Sequence, residues 1–260
     1  MRQLNRQHQS RLTEKEVKPM LNERLIGILT DSFWKILLPG LTITLPLTAV
    51  SFALALLIAV AAALVQFAHM KVLTQLVRFY IWIIRGTPLL VQLFVVFYGL
   101  PNVGILLEPF PAAVMVFSIN EGAYMAETVR SALEAVPTGQ FEAGQCIGMS
   151  YFQIMRRLIL PQALRTAFPP LSNSLISMMK DTSLAANITV AEMFMTTQRI
   201  AAVNFEYLAL YLEVAFIYLM FSTILTWLQR WGEKKLNYYN REGGRSPCWK
   251  SRIFARRSDP

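Results

Sequence analysis

The chain has little charge, almost no cysteine and no nucleotide-binding motif. Asp, Glu, Lys and Arg make up 16% of its 260 residues, where an average soluble domain holds about a quarter. That shortage excludes an ordinary soluble fold. Charge is missing altogether from Ile36 to Ala68, a stretch longer than the about 20 apolar residues that a spanning helix needs. The two cysteines, Cys146 and Cys248, lack metal-ligand spacing. This argues against a thiolate metal centre and leaves unpaired thiols in a reducing compartment. No Gly-x4-Gly-Lys-Ser/Thr run occurs, so the chain does not cradle ATP in a loop of that kind. There is no short-period repeat. A cleaved signal peptide is not expected either, because the first apolar segment is too long and follows the polar, charged stretch 1–35.

What is present is apolar, with 54% hydrophobic residues. After the first apolar run, four more stretches read as spans, at about Leu76–Leu100, Pro111–Arg130, Pro169–Val190 and Tyr207–Gln229. The expected fold is all-α and polytopic, with five transmembrane helices and little chain left for a soluble domain. A polar N-terminal tail covers 1–35, a membrane domain 36–236 with a loop at 138–161, and a basic tail 237–260. Met1–Pro19 and the tail, with Gly243, Gly244 and Pro247, read as mobile. Leu21–Leu38 suggests an interfacial amphipathic helix, and Pro39 and Pro46 bends in the first span.

Basic residues set the expected orientation. Lys71, Arg78, Arg85, Arg130, Arg156, Arg157 and Arg165 fall on one side with Arg230, Lys234, Lys235, Arg241 and Arg245. On the other side Pro101–Phe110 has no basic residue, and the last outer connection offers Arg199. The loop and C-terminus are therefore expected in the cytoplasm and the N-terminus outside. Arg2, Arg6, Arg11, Lys15, Lys18, Arg24 and Lys35 run against this reading. Half of them lie far from the first span, and Glu14, Glu16, Glu23 and Asp31 are interleaved with them.

Residues 142–161 form the most informative stretch. Pro137, Thr138 and Gly139 predict the end of the third apolar segment. Glu142 to Ile147 predicts a short helix ended by Gly148, a residue suited to the left-handed C-terminal position. Ser150 is a good N-cap for a second helix, which Pro161 is expected to interrupt. Phe141, Ile147, Met149, Tyr151 and Phe152 supply apolar knobs near the turn. An apolar tip on a rigid elbow suits a partner's groove.

This elbow resembles the cytoplasmic coupling loop of the membrane subunits of ABC importers, with its Glu-Ala-Ala, three residues, Gly, nine residues, Ile-x-Leu-Pro pattern. Glu142, Ala143, Gly148, Leu160 and Pro161 match at the right spacing; Gly144 replaces the second Ala and Leu158 the Ile. Arg85-Gly86-Thr87-Pro88-Leu89-Leu90-Val91-Gln92, Ala123-Tyr124-Met125-Ala126-Glu127 and Lys180-Asp181-Thr182-Ser183-Leu184 are similar to signatures of the polar amino-acid branch. Tyr98-Gly99-Leu100-Pro101, Asn120 and Pro169-Pro170-Leu171-Ser172-Asn173-Ser174 are most similar to cystine permeases. The resemblance covers roughly Leu37–Leu236. It implies a type I importer fold with five spans, a second permease subunit (a homodimer by default), separate ATPase subunits that bind ATP and Mg, and an extracellular or periplasmic substrate-binding protein. It further implies a multi-pass protein of a bacterial cytoplasmic membrane. The chain itself is then no enzyme, holds no cofactor and has lipid but no nucleic acid as a partner. Glu142 would complement the positive end of its helix or accept a hydrogen bond from the ATPase.

Charge inside lipid costs about 2.5–3.5 kcal/mol on insertion scales, so each instance needs a reason. Lys180 and Asp181 interrupt the fourth segment between the short runs Leu175–Met179 and Leu184–Val190, the pattern of a midplane transport site. If a helix restarts with Thr182 as N-cap, the N–H groups from Ser183 onward face the break and suit a carboxylate. The Thr182 and Ser183 hydroxyls add donors, and Asp181 suits an α-ammonium. Lys180 either assists the carboxylate or neutralises Asp181, and the pair could also be purely structural. Asn120, Tyr124 and Glu127 share one helical face; side-chain recognition and helix–helix hydrogen bonding are both open to Asn120 and Tyr124. Glu121 is expected to point elsewhere, and Glu213 to pair with a neighbouring helix. Arg85, seven residues from Arg78 on one face near the cytoplasmic end, either snorkels or closes an inner gate. An ion-driven secondary transporter and a non-transporting scaffold are the competing readings. Five spans without a visible internal inverted repeat count against the first, and the second leaves the Lys180–Ser183 break unexplained.

Overall fold

The computed structural model describes residues 23–67 and 71–243, and among them every regular element is helical. Met1–Pro19 and the end of the tail, with Cys248, lie outside the described residues. The first helix, α1, runs from Glu23 to Phe67 without a break. The stretch expected to lead into the first span is continuous with it, as the first part of α1. At the other end the chain stays helical to Gly243, beyond the expected tail boundary at Asn237.

Proline has more than one fate here, and Pro169 and Pro170 sit inside a regular helix. Helix α2, Lys71–Gly86, meets α3, Leu89–Val103, at 103°. The single span expected at Leu76–Leu100 is therefore a bent pair. Thr87 precedes Pro88, whose ring disfavours helical backbone at the preceding residue, and Pro88 itself is extended (ψ 138). Elsewhere the helix absorbs the proline by widening. Wide π turns at Gly40–Thr44, Val95–Gly99 and Met155–Ile159 each stop two residues before a proline, at Pro46, Pro101 and Pro161. The extra residue moves the carbonyl four positions back away from the proline ring, relieving the clash that would break a regular turn.

Helix α4 spans Pro109–Glu134, roughly 39 Å at 1.5 Å per residue. The elbow follows, with α5 at Thr138–Cys146 and α6 at Tyr151–Ile154. Through the third π turn α6 leads directly into α7, Leu160–Asp181. Pro161 therefore does not interrupt the second elbow helix. Leu160 N–H bonds the Met155 carbonyl, and the Gln162 side chain donates to the Leu158 carbonyl at 2.9 Å. A tighter 3-10 segment, Thr182–Ile188, then leads to α8, Met193–Asn204, and α9, Tyr207–Gly243.

By length and apolarity alone, α1 and Tyr207–Leu236 of α9 are long enough to cross a bilayer, and the bent pair counts as a third. Helices α4 and α7 carry the polar faces that line the site. Four apolar clusters run along the bundle. One joins α1, α3 and α4 around Phe117; one joins α1, α2 and α4 around Met125; one joins α1, α8 and α9 around Ile217; one backs the elbow around Ile154. Small residues let α1 and α4 approach closely. A Cβ at Gly122 would lie 2.9 Å from Ile58 Cγ2 and 3.1 Å from its Cβ. Gly122→Val is expected to destabilise the fold by about 1–3 kcal/mol, the usual cost of overpacking, read as a lower unfolding temperature in detergent. An unchanged transition would show that α1 and α4 are not so tightly apposed.

Candidate functional site: a polar cavity and an exposed elbow

Polar residues of α4 gather on one face. Asn120, Glu121, Tyr124, Glu127, Thr128 and Ser131 recur at helical spacing, and all line a cavity of about 880 Å³ between α4 and α7. From α7 come Asn173, Ser174, Ser177 and Asp181, and from the end of α2 comes Arg85. Polar stripes inside apolar spans face such cavities because lipid gives them no partner. Glu121 does not point elsewhere: it lies on this wall, half-buried, beside the Ser174 hydroxyl. The signal for it was present, since it stands three residues before Tyr124 and seven before Thr128.

Charges within the cavity are unevenly matched. Arg130 bonds Glu127 at 2.8 Å and Glu134 at 2.7 Å, so Glu127 is largely neutralised. Glu121 and Asp181 are the other acidic side chains on the walls of α4 and α7. Arg85 stands over the Tyr124 ring at 5.1 Å. That contact is near the middle of α4, not at the end of the bundle where the sequence suggested Arg85 would lie. A guanidinium over an aromatic face gains cation–π attraction, and its place in the last turn of α2 complements the helix dipole.

Asn120 is buried and donates to Gln92 Oε1 at 3.0 Å. The Gln92 amide in turn donates to the Ile84 carbonyl at 2.9 Å and to Thr87 Oγ1 at 2.8 Å. The helix–helix hydrogen bonding left open for Asn120 is therefore present, and it ties α4 to the bent corner between α2 and α3. Gln92 lay inside a quoted signature, but nothing local marked it as the tether. Glu213 accepts a hydrogen bond from Ser32 of α1, which is the pairing with a neighbouring helix expected of it.

The break after Asp181 differs from expectation. Thr182 is not an N-cap: its backbone is helical (φ −56, ψ −24). It is fully buried, and its hydroxyl donates to the Met179 carbonyl at 2.6 Å. The chain tightens into 3-10 turns instead of stopping and restarting, so the N–H groups from Ser183 onward form no open carboxylate cradle. The four residues of the break also separate. Asp181 faces the polar cavity, while Lys180 and Ser183 line a second, apolar cleft of about 610 Å³ beside Phe194, Tyr211 and Tyr218. Lys180 thus does not share a wall with Asp181, Asn120 and Tyr124. The reason is rotational: successive residues near a helix end point roughly 100° apart.

At the elbow, local chemistry governs. Gly148 takes φ +76. Met149 N–H bonds the Gly144 carbonyl at 3.0 Å and Gly148 N–H the Gln145 carbonyl at 2.9 Å, the Schellman pattern of a glycine-ended helix. Ser150 and Gln153 form a reciprocal capping box. Helix α5 starts at Thr138, so Glu142 is in its middle and not in its first turn. This removes the helix-dipole role suggested for Glu142. Gly144 is buried, and a Cβ there would lie 2.8 Å from Ile154 Cγ1. The glycine in place of the pattern's alanine therefore lets α5 press closely on α6. Phe141 and Met149 pack into the supporting cluster with Leu158. Ile147, Tyr151 and Phe152 are 76%, 58% and 68% exposed, beside exposed Glu142 and Ala143. Leu160 and Pro161 begin α7, which with α6 gives a helical run from Tyr151 to Asp181, roughly 46 Å at 1.5 Å per residue. The elbow and the cavity wall at Asp181 thus lie on one continuous helical run. Among the described residues no three metal-ligating side chains converge.

Comparison with known proteins gives this geometry a family. Residues 55–238 match the family described as binding-protein-dependent transport system inner membrane component. The chain is 45% identical over 213 residues to the L-cystine transport system permease protein TcyB of Bacillus subtilis (strain 168), covering 82% of this chain and 91% of that one. It is 42% identical to the probable amino-acid ABC transporter permease protein PatM of Vibrio harveyi, covering 78% and 92%. Among solved structures, that of an amino acid ABC transporter with histidines aligns with TM-score 0.74 and 32% identity over 79% of this chain and 96% of that one. An elbow on a helical lever, a polar cavity inside an apolar bundle and this extent of similarity lead to one conclusion: the chain belongs to the binding-protein-dependent transport system inner-membrane components, as an amino-acid ABC permease.

Proposed function

We propose that the chain is the transmembrane subunit through which a polar amino acid, cystine in the first instance, is imported at the expense of ATP hydrolysed by a separate subunit. The observation that carries the coupling role is the unbroken helix from the exposed elbow to Asp181. A push on Ile147, Tyr151 and Phe152 would be carried along this helical run, past Pro169 and Pro170 inside α7, to the cavity wall at Asp181, 30 residues from Tyr151. In this reading the partner ATPase binds ATP and Mg, and Glu142 and Ala143 lie at its contact. A substrate-binding protein delivers the amino acid from outside, and a second copy completes the pathway.

The cavity supports an amino acid as cargo. Glu121 and Asp181 suit an α-ammonium, Arg85 a carboxylate, and Asn120 and Tyr124 the side chain. Arg85 over Tyr124 is placed to open and close the route between the two. Cystine is supported by the similarity to a permease named for L-cystine transport and by a cavity whose carboxylates would meet its ammonium groups. The bias of Lys and Arg toward the elbow side supports a cytoplasmic elbow and C-terminus in a bacterial cytoplasmic membrane. The experiment is uptake of labelled cystine by the reconstituted complex with a panel of competing amino acids. Cystine is expected to compete best. Stronger competition by arginine, glutamine or histidine would reassign the substrate, while uptake indifferent to ATP but abolished by an ionophore would replace the coupling reading with an ion-driven one.

A further inference from the structure

One buried carboxylate has no task in the account so far. Glu192 is 0% exposed. Its Oε1 accepts the Met195 backbone N–H at 2.8 Å, capping α8, and its Oε2 accepts the Tyr218 hydroxyl of α9 at 2.8 Å. A helix cap alone needs no carboxylate, since Ser or Thr serves as well. A buried carboxyl is costly unless each oxygen is bonded. The phenol of Tyr218 lies beside the hydroxyl of Thr182, which is itself fully buried and bonded back to Met179. The contacts therefore run from Glu192 through Tyr218 to the residue where α7 gives way to the 3-10 segment. Met179, Met193, Val214 and Ile217 pack in the same cluster, against which Tyr218 is seated.

The hold on Thr182 sets how the last turn of α7 is wound. Residues advance about 100° in an α-helix and about 120° in a 3-10 helix, so each residue of that turn that changes its winding swings Asp181 by about 20° relative to the cavity. With the junction at Thr182, Asp181 faces the polar cavity and Lys180 and Ser183 the apolar cleft. At the far end of the segment Thr189 is held at φ 65. A β-branched residue adopts left-handed backbone only where its surroundings over-determine it. The segment is clamped at both ends.

We propose that Glu192 and Tyr218 form a positioning latch that fixes the end of α7 and so aims Asp181 into the polar cavity. The proposal rests on the reading of that cavity as the amino-acid route, and its test separates the two. In the full complex, with Cys146→Ser and Cys248→Ser, a charged methanethiosulfonate reagent is applied to Asp181→Cys and to Ser183→Cys. The cavity-facing thiol is expected to react much faster than the cleft-facing one. Adding Tyr218→Phe, which keeps the ring and loses the hydrogen bond to the buried Glu192 carboxyl, is expected to reduce that contrast about tenfold. In uptake assays on the Asp181 background, Tyr218→Phe raises KM about tenfold with kcat nearly unchanged, a split expected of a mispositioned binding group. Glu192→Gln, which keeps an acceptor for Met195 N–H, gives a smaller rise. A labelling contrast untouched by Tyr218→Phe, or a fall in kcat at constant KM, overturns the latch. Asp181→Asn with normal uptake overturns the cavity reading instead, and leaves the labelling result to decide the latch by itself.

Discussion

Gly148→Val is expected to abolish most coupled uptake while leaving the protein in the membrane at near-normal abundance. At φ +76 the glycine sits where an L-residue pays about 1–2 kcal/mol in backbone strain, and a β-branched side chain fares worse. Nothing lies within 4 Å of a Cβ there, so the penalty is conformational and not steric. The local escape is to unwind the turn, losing the bonds from Met149 to Gly144 and from Gly148 to Gln145. Exposed Ile147, Tyr151 and Phe152 would then no longer be presented together. The apolar clusters of the spans do not include Gly148, so insertion is unaffected. Copurification of the ATPase subunit and ATP-dependent uptake are the measurements, and both are expected to fall about tenfold or more, the equivalent of that strain expressed as an equilibrium. Glu142→Ala should weaken the same two readouts without altering the turn. If both variants transport normally, the elbow does not carry the force.

Asp181→Asn is expected to lower uptake about 10- to 100-fold at subsaturating substrate, since a hydrogen bond to a charged group contributes about 1.5–3 kcal/mol. The side chain keeps its size, so membrane abundance and ATPase binding should not change. Lys180→Ala serves as the contrast. Although adjacent in sequence, Lys180 lines the apolar cleft with Ser183 and Tyr211, and its removal should change KM little. Glu121→Gln belongs with Asp181→Asn, because both carboxylates line the same cavity. Equal losses for Lys180→Ala and Asp181→Asn would return Lys180 to the substrate site. Normal uptake by Asp181→Asn would move the site elsewhere.

The elbow was legible because its determinants are local. The left-handed glycine, the Ser150 cap and its Gln153 partner each act within about six residues, and their identities are enough to specify the turn. The polar stripe of Asn120, Tyr124 and Glu127 was legible for the same reason, since helical spacing alone puts them on one face. The fate of the prolines was not. Pro88 breaks a span, Pro161 follows a π turn, and Pro169 and Pro170 sit inside α7 with neither, and nothing in the residues beside each proline distinguishes these outcomes.

From sequence alone come the membrane class, the helical content, the elbow and the residues of the polar face, all set by composition and by interactions a few residues long. Tertiary structure alone decided which of those residues share a space. Asn120 meets Gln92 28 residues away, Tyr218 meets Glu192 26 away, and Ser32 meets Glu213 181 away. Packing of α4 against α7 encloses Glu121 and Asp181 in one cavity, while Lys180 falls in the cleft beside α8 and α9. A side chain's direction at a helix end depends on where the backbone changes its winding, and that is fixed by neighbours the local sequence does not name.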